Sequence, residues 1–550
     1  MKKLFLTLVA FLMAVMPAFS ENVTVQTAQR AAQSFLNSKM GGNSQIHLID
    51  FAEKTEFPNF YVFGNEHCFV IIAADNIVHP VLGYSMEGGF GEDAMPEAIM
   101  DWLKAYDDEI TFAKESRLEA TMVIRKEWDN LLNGRGLEPK SRSFVKPLIR
   151  TKWSQKLPFN NLCPIYGNGN HCAAGCGAIA MAQIMNYWEH PVRGVGSHSY
   201  LPHSHPEYDT LSVNFSETTY DWDNIKNLYT RGYSSDEALA VATLVYHCGV
   251  SVNMDYGPDT SNVAAPILDS AMRYYFDYAS TTNYVFKLSY SNTQWISMLK
   301  NDLDNLQPLL YRACSDNQGT NAHIFVCDGY DENDFFHFEW GVIGGRFDGY
   351  YTIADLHQGS TNYTYGNAAM FGCHPNETSI NPPSNVVTTV NGRTVNISWS
   401  PVPSSAYYKV YRDGDLIANN LTSTSYTDSN ASYGSHTYYV KSVKSDGTMS
   451  LRSNIATVDL HFTGPVPSNL QATANSQNVN LSWQTPNAET AILQYGTGAC
   501  TDKRGYSGGT YWGQRYPAST ISEYAGMAIE KVSSFFYYAG NYTLFVYNNT

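Results

Sequence analysis

The sequence has little positive charge and, beyond its first 20 residues, no long hydrophobic run. Of its 550 residues, 35 are Lys or Arg and 51 are Asp or Glu, which gives a formal net charge of −16. A protein whose main partner is nucleic acid needs a basic face for the phosphates, so this balance argues against that class. The lack of a later apolar run argues equally against a transmembrane enzyme.

Cysteine is also scarce. The chain has nine, at irregular spacing: Cys68, Cys163, Cys172, Cys176, Cys248, Cys314, Cys327, Cys373 and Cys500. This density is too low for a disulfide scaffold. Because the number is odd, at least one thiol has no partner within the chain, and in an exported protein such a thiol is a candidate reactive group.

What the sequence has in quantity is apolar and aromatic side chains. Hydrophobic residues make up 43% of the chain, charged residues 16% and aromatic residues 14%, with 39 Tyr. Such a composition can bury a core over most of the length, and its aromatics favour β-sheet. At about 100–200 residues per domain, the length predicts three to five domains.

The single long apolar run is a predicted export signal. Leu4–Met16 follows Lys2 and Lys3, and Ala18–Ser20 offers small residues at the −3 and −1 positions of a cleavage site. We therefore predict a signal peptide over residues 1–20, with an uncleaved anchor as the alternative. The mature protein is expected to be secreted by a bacterium, into the medium or onto the cell surface.

Residues 21–142 form the first predicted domain after the signal. Thr27–Lys39 has helical spacing, two β-like runs follow, and a second helix is predicted from Pro96 to about Lys114. The block ends in the polar, basic segment Asn133–Ser143. Such a segment predicts a linker and a site of proteolysis.

The C-terminal part of the chain contains an internal repeat. From residue 381 short alternating strands and turn residues dominate, and Asn396–Trp399 (NISW) recurs 84 residues later as Asn480–Trp483 (NLSW). A Trp in an early strand and a period of this length predict antiparallel sandwiches at 379–460 and 464–550.

The two predicted sandwiches differ in character. The first copy resembles a fibronectin type III domain. The second diverges after Thr497, and from Gly508 it is similar to adhesin modules. The apolar strand pattern at Tyr542–Tyr547 predicts that this module continues beyond the given sequence.

Between these parts, residues 143–376 contain every motif that suggests chemistry, and the first is Cys176. It follows Gly175 at the start of a helix-forming segment with apolar residues at helical spacing up to Trp188. The free N–H groups and positive dipole end of a helix start stabilise a thiolate and lower a thiol pKa from ~8.5. From this segment alone, a small buried cysteine is the alternative.

Two further residues fit a thiol-based mechanism. His323 lies 147 residues after Cys176, and papain-like peptidases place their histidine about 130–150 residues after the cysteine. The side-chain N–H of Gln155 and the backbone N–H of Cys176 would together form an oxyanion hole. Each of the two residues alone is more simply a structural or surface residue.

The sequence after His323 predicts how the histidine is oriented. Two β runs flank a turn-like segment, and a hairpin centred near Asp331 would place His323 opposite Glu339 and Trp340. A general base must be held in one tautomer by a partner. Glu339 is therefore predicted to orient His323.

The stretch that holds these residues resembles the streptopain family of bacterial cysteine peptidases, within the papain clan. The matching motifs are WSQKLPFN at 153–160, AAGCGAIAMAQIMNYW at 173–188, VSVNMDYGP at 250–258, HIFVCDGYD at 323–331 and HFEWG at 337–341. Residues 21–142 resemble the family's propeptide, notably through FVIIAADNIVHPVLGYSMEGGF at 69–90. The resemblance covers about two-thirds of the chain.

The resemblance implies an α+β fold: a papain-like peptidase domain, preceded by an α+β propeptide and followed by all-β sandwich modules. It implies Cys176 as the nucleophile, His323 as general base and acid, Gln155 as oxyanion donor and Trp340 as a shield for the histidine. It also implies a zymogen whose propeptide blocks the cleft until it is cut near Lys140–Ser143. The implied partners are protein or peptide substrates and the propeptide itself, and no cofactor or metal is implied.

Two features depart from the family pattern. The family has Asn before the Trp, where this chain has Glu339; a carboxylate can still orient His323, but burying it is costly unless it is paired. The family's next aromatic is replaced by Val342, and Asn321 and Ala322 replace small residues before the histidine. These changes predict altered specificity.

Two other interpretations stay open. A zinc cluster could be drawn from Cys163, His171, Cys172 and Cys176, but their spacing matches no recurrent pattern, and Cys163 and Cys172 are more simply neighbours, with a disulfide as one outcome. The stronger alternative is a catalytically impaired scaffold that acts as a surface adhesin, binding host or cell-surface proteins through its β modules. The two functions differ at Cys176, since only a peptidase needs one thiol far more reactive than the others.

Overall fold

The computed structural model describes residues 21–40, 46–51, 56–91, 95–167, 169–314, 322–341, 343–353, 356–357, 366–376, 380–429, 431–460, 468–475 and 478–484. The predicted export signal, Asn321, Val342 and most of the second predicted sandwich lie outside these residues. The chain divides into two compact units with the break between Ser379 and Ile380. Residues 21–142 and 143–376 therefore lie in the same unit.

The N-terminal part of the first unit consists of three helices and four strands. These are α1 (Val25–Met40), β1 (His47–Leu48), β2 (Phe60–Gly64), β3 (Phe69–Ala73), β4 (Val81–Ser85), α2 (Glu97–Glu115) and α3 (Met122–Leu132). The two predicted helices are confirmed in α1 and α2, although Pro96 lies one residue before α2 rather than at its first position. Thr121 caps α3 by accepting a hydrogen bond from the N–H of Ile124.

The rest of the first unit contains the predicted peptidase domain. Its elements are β5 (Ile165–Tyr166), β6 (Asn170–His171), α4 (Cys176–Trp188), β7 (Ser197–Tyr200), β8 (Leu211–Asn214), α5 (Ser235–Ser251), α6 (Leu268–Phe276), β9 (Asn283–Phe286), α7 (Asn292–Asp304), β10 (Leu309–Cys314), β11 (Ala322–Tyr330), β12 (Phe335–Glu339), β13 (Gly349–Thr352) and β14 (Ala368–Phe371). α4 is buried along most of its length and packs against α5 and β11. A helix that is apolar on all sides belongs in a core, which agrees with the composition of α4.

One antiparallel sheet of ten strands runs through the whole first unit. Its order is β1-β2-β3-β4-β13-β12-β11-β10-β14-β9. β4 and β13 pair Gly83 with Tyr351 and Tyr84 with Tyr350, and so join the N-terminal strands to those of the peptidase domain. A Cβ on Gly83 would lie 2.8 Å from the Tyr351 ring. The close approach of these two strands therefore requires glycine at this position.

The hydrophobic core is also continuous across the two parts of the first unit. Trp102 of α2 packs edge-on against four aromatic rings of the peptidase strands, at centroid distances of 5.1–6.3 Å: Tyr311, Phe325, Phe338 and Trp340. Because aromatic side chains contribute most of the buried area in such a core, α2 is held firmly against β10–β12.

The predicted linker lies at the surface. Lys140 and Arg142 are exposed, as are Pro139 and Ser143, and Ser141 between them is half-buried. The N–H groups of Lys140 and Ser141 donate to the carbonyl of Glu332, in the turn between β11 and β12. The segment is therefore accessible to a protease even though it is anchored to the domain that follows.

The second unit contains the predicted β-sandwich. Its strands are β15 (Val387–Asn391), β16 (Thr394–Ser398), β17 (Tyr407–Arg412), β18 (Asp415–Leu421), β19 (Ser425–Asp428), β20 (Gly434–Val443) and β21 (Ala456–Leu460). They form one sheet β15-β16-β19 and a second sheet β18-β17-β20-β21. Inward-facing residues of both sheets share one core, in which Trp399 packs edge-on against Tyr408.

Two further strands, β22 (Ser468–Asn475) and β23 (Asn478–Gln484), pair as an antiparallel hairpin. The repeated NLSW segment lies in β23, as NISW lies at β16. Across the described part of the chain, no helix is both long and apolar enough to cross a membrane.

Candidate active site

Cys176 is the first residue of α4, and the loop that leads to it is firmly held. Gly175 has φ 88°, a conformation that suits glycine, and a Cβ there would lie 2.7 Å from the Met254 side chain. The Ser261 hydroxyl donates to the carbonyl of Ala173 at 2.6 Å. The predicted position of the thiol at a helix start is confirmed.

The Cys176 thiol differs from the other described thiols. It is half-buried, whereas the other described cysteines are buried. Burial would raise its pKa, but a hydrogen bond and Coulomb attraction from His323, with the N–H groups of Ile324 and Gly177, outweigh burial and lower the pKa. Burial instead raises the pKa of six other thiols: Cys68, Cys163, Cys172, Cys248, Cys327 and Cys373. Cys176 is thus the described thiol with an environment that favours the thiolate.

His323 lies near the start of β11, opposite Ala313 of β10. Burial would lower its pKa, but hydrogen bonds and charges from Asp101 and Cys176 raise the pKa to about 9. The imidazole is therefore protonated at neutral pH, as the thiolate–imidazolium pair of a cysteine peptidase requires.

The nearest carboxylate to the His323 ring comes from the N-terminal part of the chain. Nε2 of His323 lies 3.2 Å from Oδ2 of Asp101, on α2, and the two side chains are only 18% and 17% exposed. An ion pair with this little exposure is weakly screened by solvent. The candidate catalytic base is therefore contacted by the propeptide segment.

One group of described residues could present three ligand atoms to a metal ion. These atoms belong to Glu97, Asp101 and His323 and lie within 4.8 Å of one another. Glu97 is exposed. The attraction between Asp101 and His323 accounts for their proximity without an ion.

The zinc cluster considered from the sequence is not assembled. The His171 ring bonds to the backbone carbonyl of Cys163 at 2.8 Å, and the Cys172 thiol donates to the Tyr208 hydroxyl at 3.3 Å. Cys163 and Cys172 are near enough for one to raise the pKa of the other, but both are free thiols. Their predicted proximity is confirmed, and the disulfide considered for them is not formed.

Gln155 lies beside the loop that carries the thiol. Its carbonyl accepts a hydrogen bond from the N–H of Ala174 at 3.1 Å, two residues before Cys176. The segment is anchored by Trp153, which is fully buried and donates through Nε1 to the carbonyl of Lys226. The predicted role of Gln155 as oxyanion donor is compatible with this position and stays a prediction.

The hairpin that follows His323 has a different register from the predicted one. Glu339 pairs with Val326, three residues beyond His323. The difference arises because β11 continues to Tyr330, so the turn lies later than the residue pattern indicates. The β-bulge between Cys327 and Gly329 shifts the register back by only one residue. The predicted placement of His323 opposite Glu339 and Trp340 is wrong.

The Glu339 carboxylate has other partners than His323. It accepts hydrogen bonds from Nζ of Lys152 at 3.0 Å and from Nε2 of Gln183 at 3.2 Å. The side chain is 1% exposed. The predicted role of Glu339 in orienting His323 is therefore corrected: Asp101 holds the position beside the ring.

Trp340 is buried in the aromatic core. Its ring lies 4.3 Å from that of Phe325 and 6.0 Å from that of Trp102, and Nε1 donates to the carbonyl of Phe347 at 3.1 Å. His323 is not among the ring contacts of Trp340 in the described residues. The role of Trp340 as a shield for the histidine stays a prediction.

Sequence reasoning missed two residues of this site, Asp101 and Lys152. Asp101 is one of many acidic residues on an amphipathic helix, and only the packing of α2 on β11 brings it to His323. A cation such as Lys152 could have been predicted, because a carboxylate at the buried position of Glu339 requires a cation nearby. That signal does not specify which lysine or arginine supplies the charge.

Comparisons with known proteins agree with this site. Residues 153–351 match the model of the Peptidase C10 family, and residues 20–110 match the Spi protease inhibitor family. The chain is 28% identical over 376 residues to the thiol protease/hemagglutinin PrtT of Porphyromonas gingivalis, covering 66% of this chain and 42% of that protein. It is 26% identical over 345 residues to streptopain of Streptococcus pyogenes, covering 60% of this chain and 82% of that protein.

A solved structure is similar to this chain over both the propeptide and the peptidase parts of a relative. A fragment of prointerpain A from Prevotella intermedia, solved as a cysteine-to-alanine mutant, is 30% identical, with a TM-score of 0.50. The match covers 60% of this chain and 98% of that fragment. With a thiol and an imidazole paired at a helix start, and with relatives that are thiol proteases in zymogen form, the chain belongs to the Peptidase C10 family of cysteine peptidases and has a Spi-type inhibitor domain as its propeptide.

Proposed function

We propose that the protein is a secreted cysteine endopeptidase, made as a zymogen, that cleaves proteins through Cys176 and His323. The observation that carries the proposal is the pairing of a half-buried thiol of lowered pKa with an imidazole of raised pKa at the start of α4. Structural cysteines do not need such an environment, whereas a nucleophile does.

In this function each residue has a definite step. The Cys176 thiolate attacks the peptide carbonyl carbon, and the oxyanion is stabilised by the side-chain N–H of Gln155 and the backbone N–H of Cys176. The imidazolium of His323 then gives its proton to the leaving amine, which breaks the C–N bond and leaves a thioester. Neutral His323 next takes a proton from water, whose oxygen attacks the thioester, and it returns that proton as the Cys176 thiol leaves.

The propeptide keeps the enzyme latent in this proposal. It contributes Asp101 to the catalytic histidine and four strands to the sheet, and it is cut in the exposed segment around Lys140–Ser143. After the cut, the propeptide can dissociate and take Asp101, which raises the pKa of His323, away from the active site. His323 then titrates closer to neutral pH, where a base and acid works best.

The proposal is tested by labelling with the epoxide E-64 on full-length protein cut in the linker, with the modified residue identified by mass spectrometry. We expect stoichiometric labelling at Cys176 and none at the buried thiols. Labelling should be lost in His323→Ala. Absence of labelling once the propeptide is demonstrably removed would contradict the proposal.

The adhesin alternative is not favoured, because the relatives are thiol proteases and the Cys176–His323 pair is in place. We assign the β modules instead a tethering role, in which they hold the peptidase to host or cell-surface proteins, by analogy with such modules elsewhere. A pull-down with the full chain and with a chain ending at Ser379 tests this role. Equal recovery of partners by both would contradict it.

A further inference from the structure

A buried network of charged and polar side chains lies behind the active site, with Lys152 at its centre. Nζ of Lys152 is 3.0 Å from Oε2 of Glu339, 2.8 Å from Oδ2 of Asp348 and 3.6 Å from Oε2 of Glu87. Glu339 and Asp348 are each 1% exposed, and Lys152 is 22% exposed. Glu87, from the propeptide segment, is 46% exposed and is the outer member.

The network joins the three segments that carry the site. Gln183, two turns after Cys176 on α4, donates through Nε2 to Glu339 at 3.2 Å and to the Thr151 hydroxyl at 3.0 Å. Lys152 lies three residues before Gln155 in the oxyanion segment. The nucleophile helix, the oxyanion segment and the end of β12 are thus linked by direct hydrogen bonds.

The same network fixes the backbone of Trp340. Oδ1 of Asp348 accepts a hydrogen bond from the N–H of Trp340 at 3.0 Å, while Oδ2 of Asp348 binds Lys152. The stem of Lys152 passes over Gly345, where an added Cβ would lie 2.3 Å from Cδ of the lysine. Gly345 also has φ 85°. The loop between β12 and β13 is therefore shaped around this lysine.

The charges in the network are close to balanced. Burial first, and then the charge of Asp348, raise the pKa of Glu339 well above its ordinary range. Although burial lowers the pKa of Lys152, the charges of Glu339, Asp348 and Glu87 raise it on balance, so the lysine is charged. The single cation of Lys152 thus pairs with two buried carboxyl groups, those of Glu339 and Asp348.

This balance explains how a glutamate is tolerated beside Trp340. A neutral carboxylic acid donates and accepts hydrogen bonds as an amide does, so Glu339 can replace an amide side chain without leaving a buried charge. His337, whose own partner Asp328 lies at 2.6 Å, also faces the network.

We propose that Lys152 is a positioning residue for peptide hydrolysis: through Glu339 and Asp348 it holds the oxyanion segment and the Trp340 backbone in register with the helix of Cys176. Lys152 touches neither substrate nor the reacting atoms. It acts on Gln155 and Trp340 through the chain and the network. The inference rests on the proposed function, because it assigns a role in that reaction.

The test is Lys152→Met in full-length protein activated in the linker, with kcat and KM measured on a peptide substrate from about pH 5 to 9. Lys300→Met is the matched control, because Lys300 is 18% exposed and forms an ion pair with Asp334, which is not one of the network residues. Epoxide labelling of Cys176 and thermal unfolding are measured on the same samples. Labelling reports the thiolate independently of the oxyanion segment.

We expect Lys152→Met to lower kcat at least tenfold with KM within about twofold, to keep labelling of Cys176, and to shift the pH profile, while Lys300→Met changes none of these. A folded Lys152→Met enzyme with normal kcat and pH profile would overturn the proposal. Failure of the wild-type enzyme both to label and to cleave would instead contradict the proposed function.

A second variant keeps the test decisive if Lys152→Met does not fold. Lys152→Met combined with Asp348→Asn removes both charges and keeps an acceptor for the N–H of Trp340. If this variant folds and kcat stays low, the lysine positions the site. If it folds with wild-type kcat, Lys152 serves only to neutralise a buried charge, and the proposal is wrong.

Discussion

At the scale of single residues, the site contains two acidic side chains with different partners. Asp101 faces the protonated ring of His323. Glu339 pairs with Val326 in the hairpin, three residues beyond His323, and burial and the charge of Asp348 raise its pKa. The two acids therefore have different roles, although in the sequence they are indistinguishable.

The Asp101–His323 contact predicts a pH-dependent contribution to zymogen stability. A histidine whose folded pKa is raised contributes stability that is complete below its unfolded pKa of about 6.5 and is lost as pH rises toward the folded value of about 9. In a Cys176→Ala background, which prevents self-processing and leaves Asp101 as the group that raises the pKa of His323, we expect Asp101→Asn to cost about 1–2 kcal/mol at pH 6. The difference in free energy of unfolding between this variant and its parent should be smaller at pH 9.5, as measured by urea unfolding of the uncut chain.

The matched control for this experiment is Asp108→Asn, which removes an exposed carboxylate of the same helix paired with Lys104. We expect that variant to unfold like its parent at both pH values, because an exposed i,i+4 pair contributes little. An Asp101→Asn penalty that is equal at pH 6 and pH 9.5 would show that the contact is not an ion pair.

The raised pKa of Glu339 leads to a second prediction at this scale. Glu339→Gln should keep kcat within about threefold and leave the pH profile unchanged between pH 6 and 8, because the amide supplies the same kinds of hydrogen bond. Glu339→Leu, of similar size, should destabilise the protein by about 1–3 kcal/mol, because Lys152 and Gln183 lose a buried partner. Steady-state kinetics and thermal unfolding check both. A pH profile displaced by Glu339→Gln would mean that Glu339 is ionised in the active enzyme.

At the scale of elements, the junction between β4 and β13 decides how the propeptide is attached. Gly83 lies where the Tyr351 ring leaves no room for a side chain. We expect Gly83→Val to force the two strands apart at a cost of about 1–3 kcal/mol. The uncut protein should then melt at a lower temperature and label faster at Cys176 with the epoxide.

Gly88→Val is the control for the junction, because a Cβ at Gly88 has open space around it. We expect it to melt and label like the parent protein. If Gly83→Val leaves both the melting temperature and the labelling rate of the uncut chain unchanged, the strand junction does not contribute to latency.

Elements with strong local signals were predictable, and long-range pairings were not. The helical spacing of α1 and α2 and the glycine before α4 are local features, and the structure confirms them. The register of β11 and β12 depends on where their turn lies, and that turn comes later in the chain than the residue pattern indicates, which places Glu339 opposite Val326 rather than His323. Asp101 reaches His323 only because α2 packs on these strands. The joining of β4 to β13 connects residues about 270 positions apart in the chain, and no local pattern encodes such a pairing.

At the scale of the whole molecule, the two compact units predict separable functions. The peptidase core and its propeptide are complete within residues up to Ser379. We expect a chain of residues 21–379 to fold, to process itself and to cleave a short peptide with kcat/KM within about twofold of the full-length value. Activity lost with the second unit, in a sample that still shows a cooperative melting transition, would mean that the sandwich completes the active site.

The order of these parts could be predicted because their sequence patterns differ. A polar linker ends the propeptide, the peptidase domain contains the catalytic motifs, and the C-terminal part contains a repeat with Trp at a fixed offset. The sequence did not indicate that the propeptide and the peptidase domain fold as one unit. The composition of the linker would be the same whether these two domains were separate or shared a sheet. Their union depends on aromatic contacts such as that of Trp102 with Trp340, which arise only in the folded chain.

The sheet that passes from β1 through to β9 has one consequence for the timing of activation. Hydrolysis of the linker severs the covalent connection, but it leaves every backbone hydrogen bond between β4 and β13, and every ring packed against Trp102, as it was. Freshly nicked enzyme is thus a heterodimer of two pieces of one chain, and it becomes active at the rate at which that heterodimer dissociates. The delay between nicking and activity is then independent of the nicking protease and lengthens wherever the released propeptide accumulates.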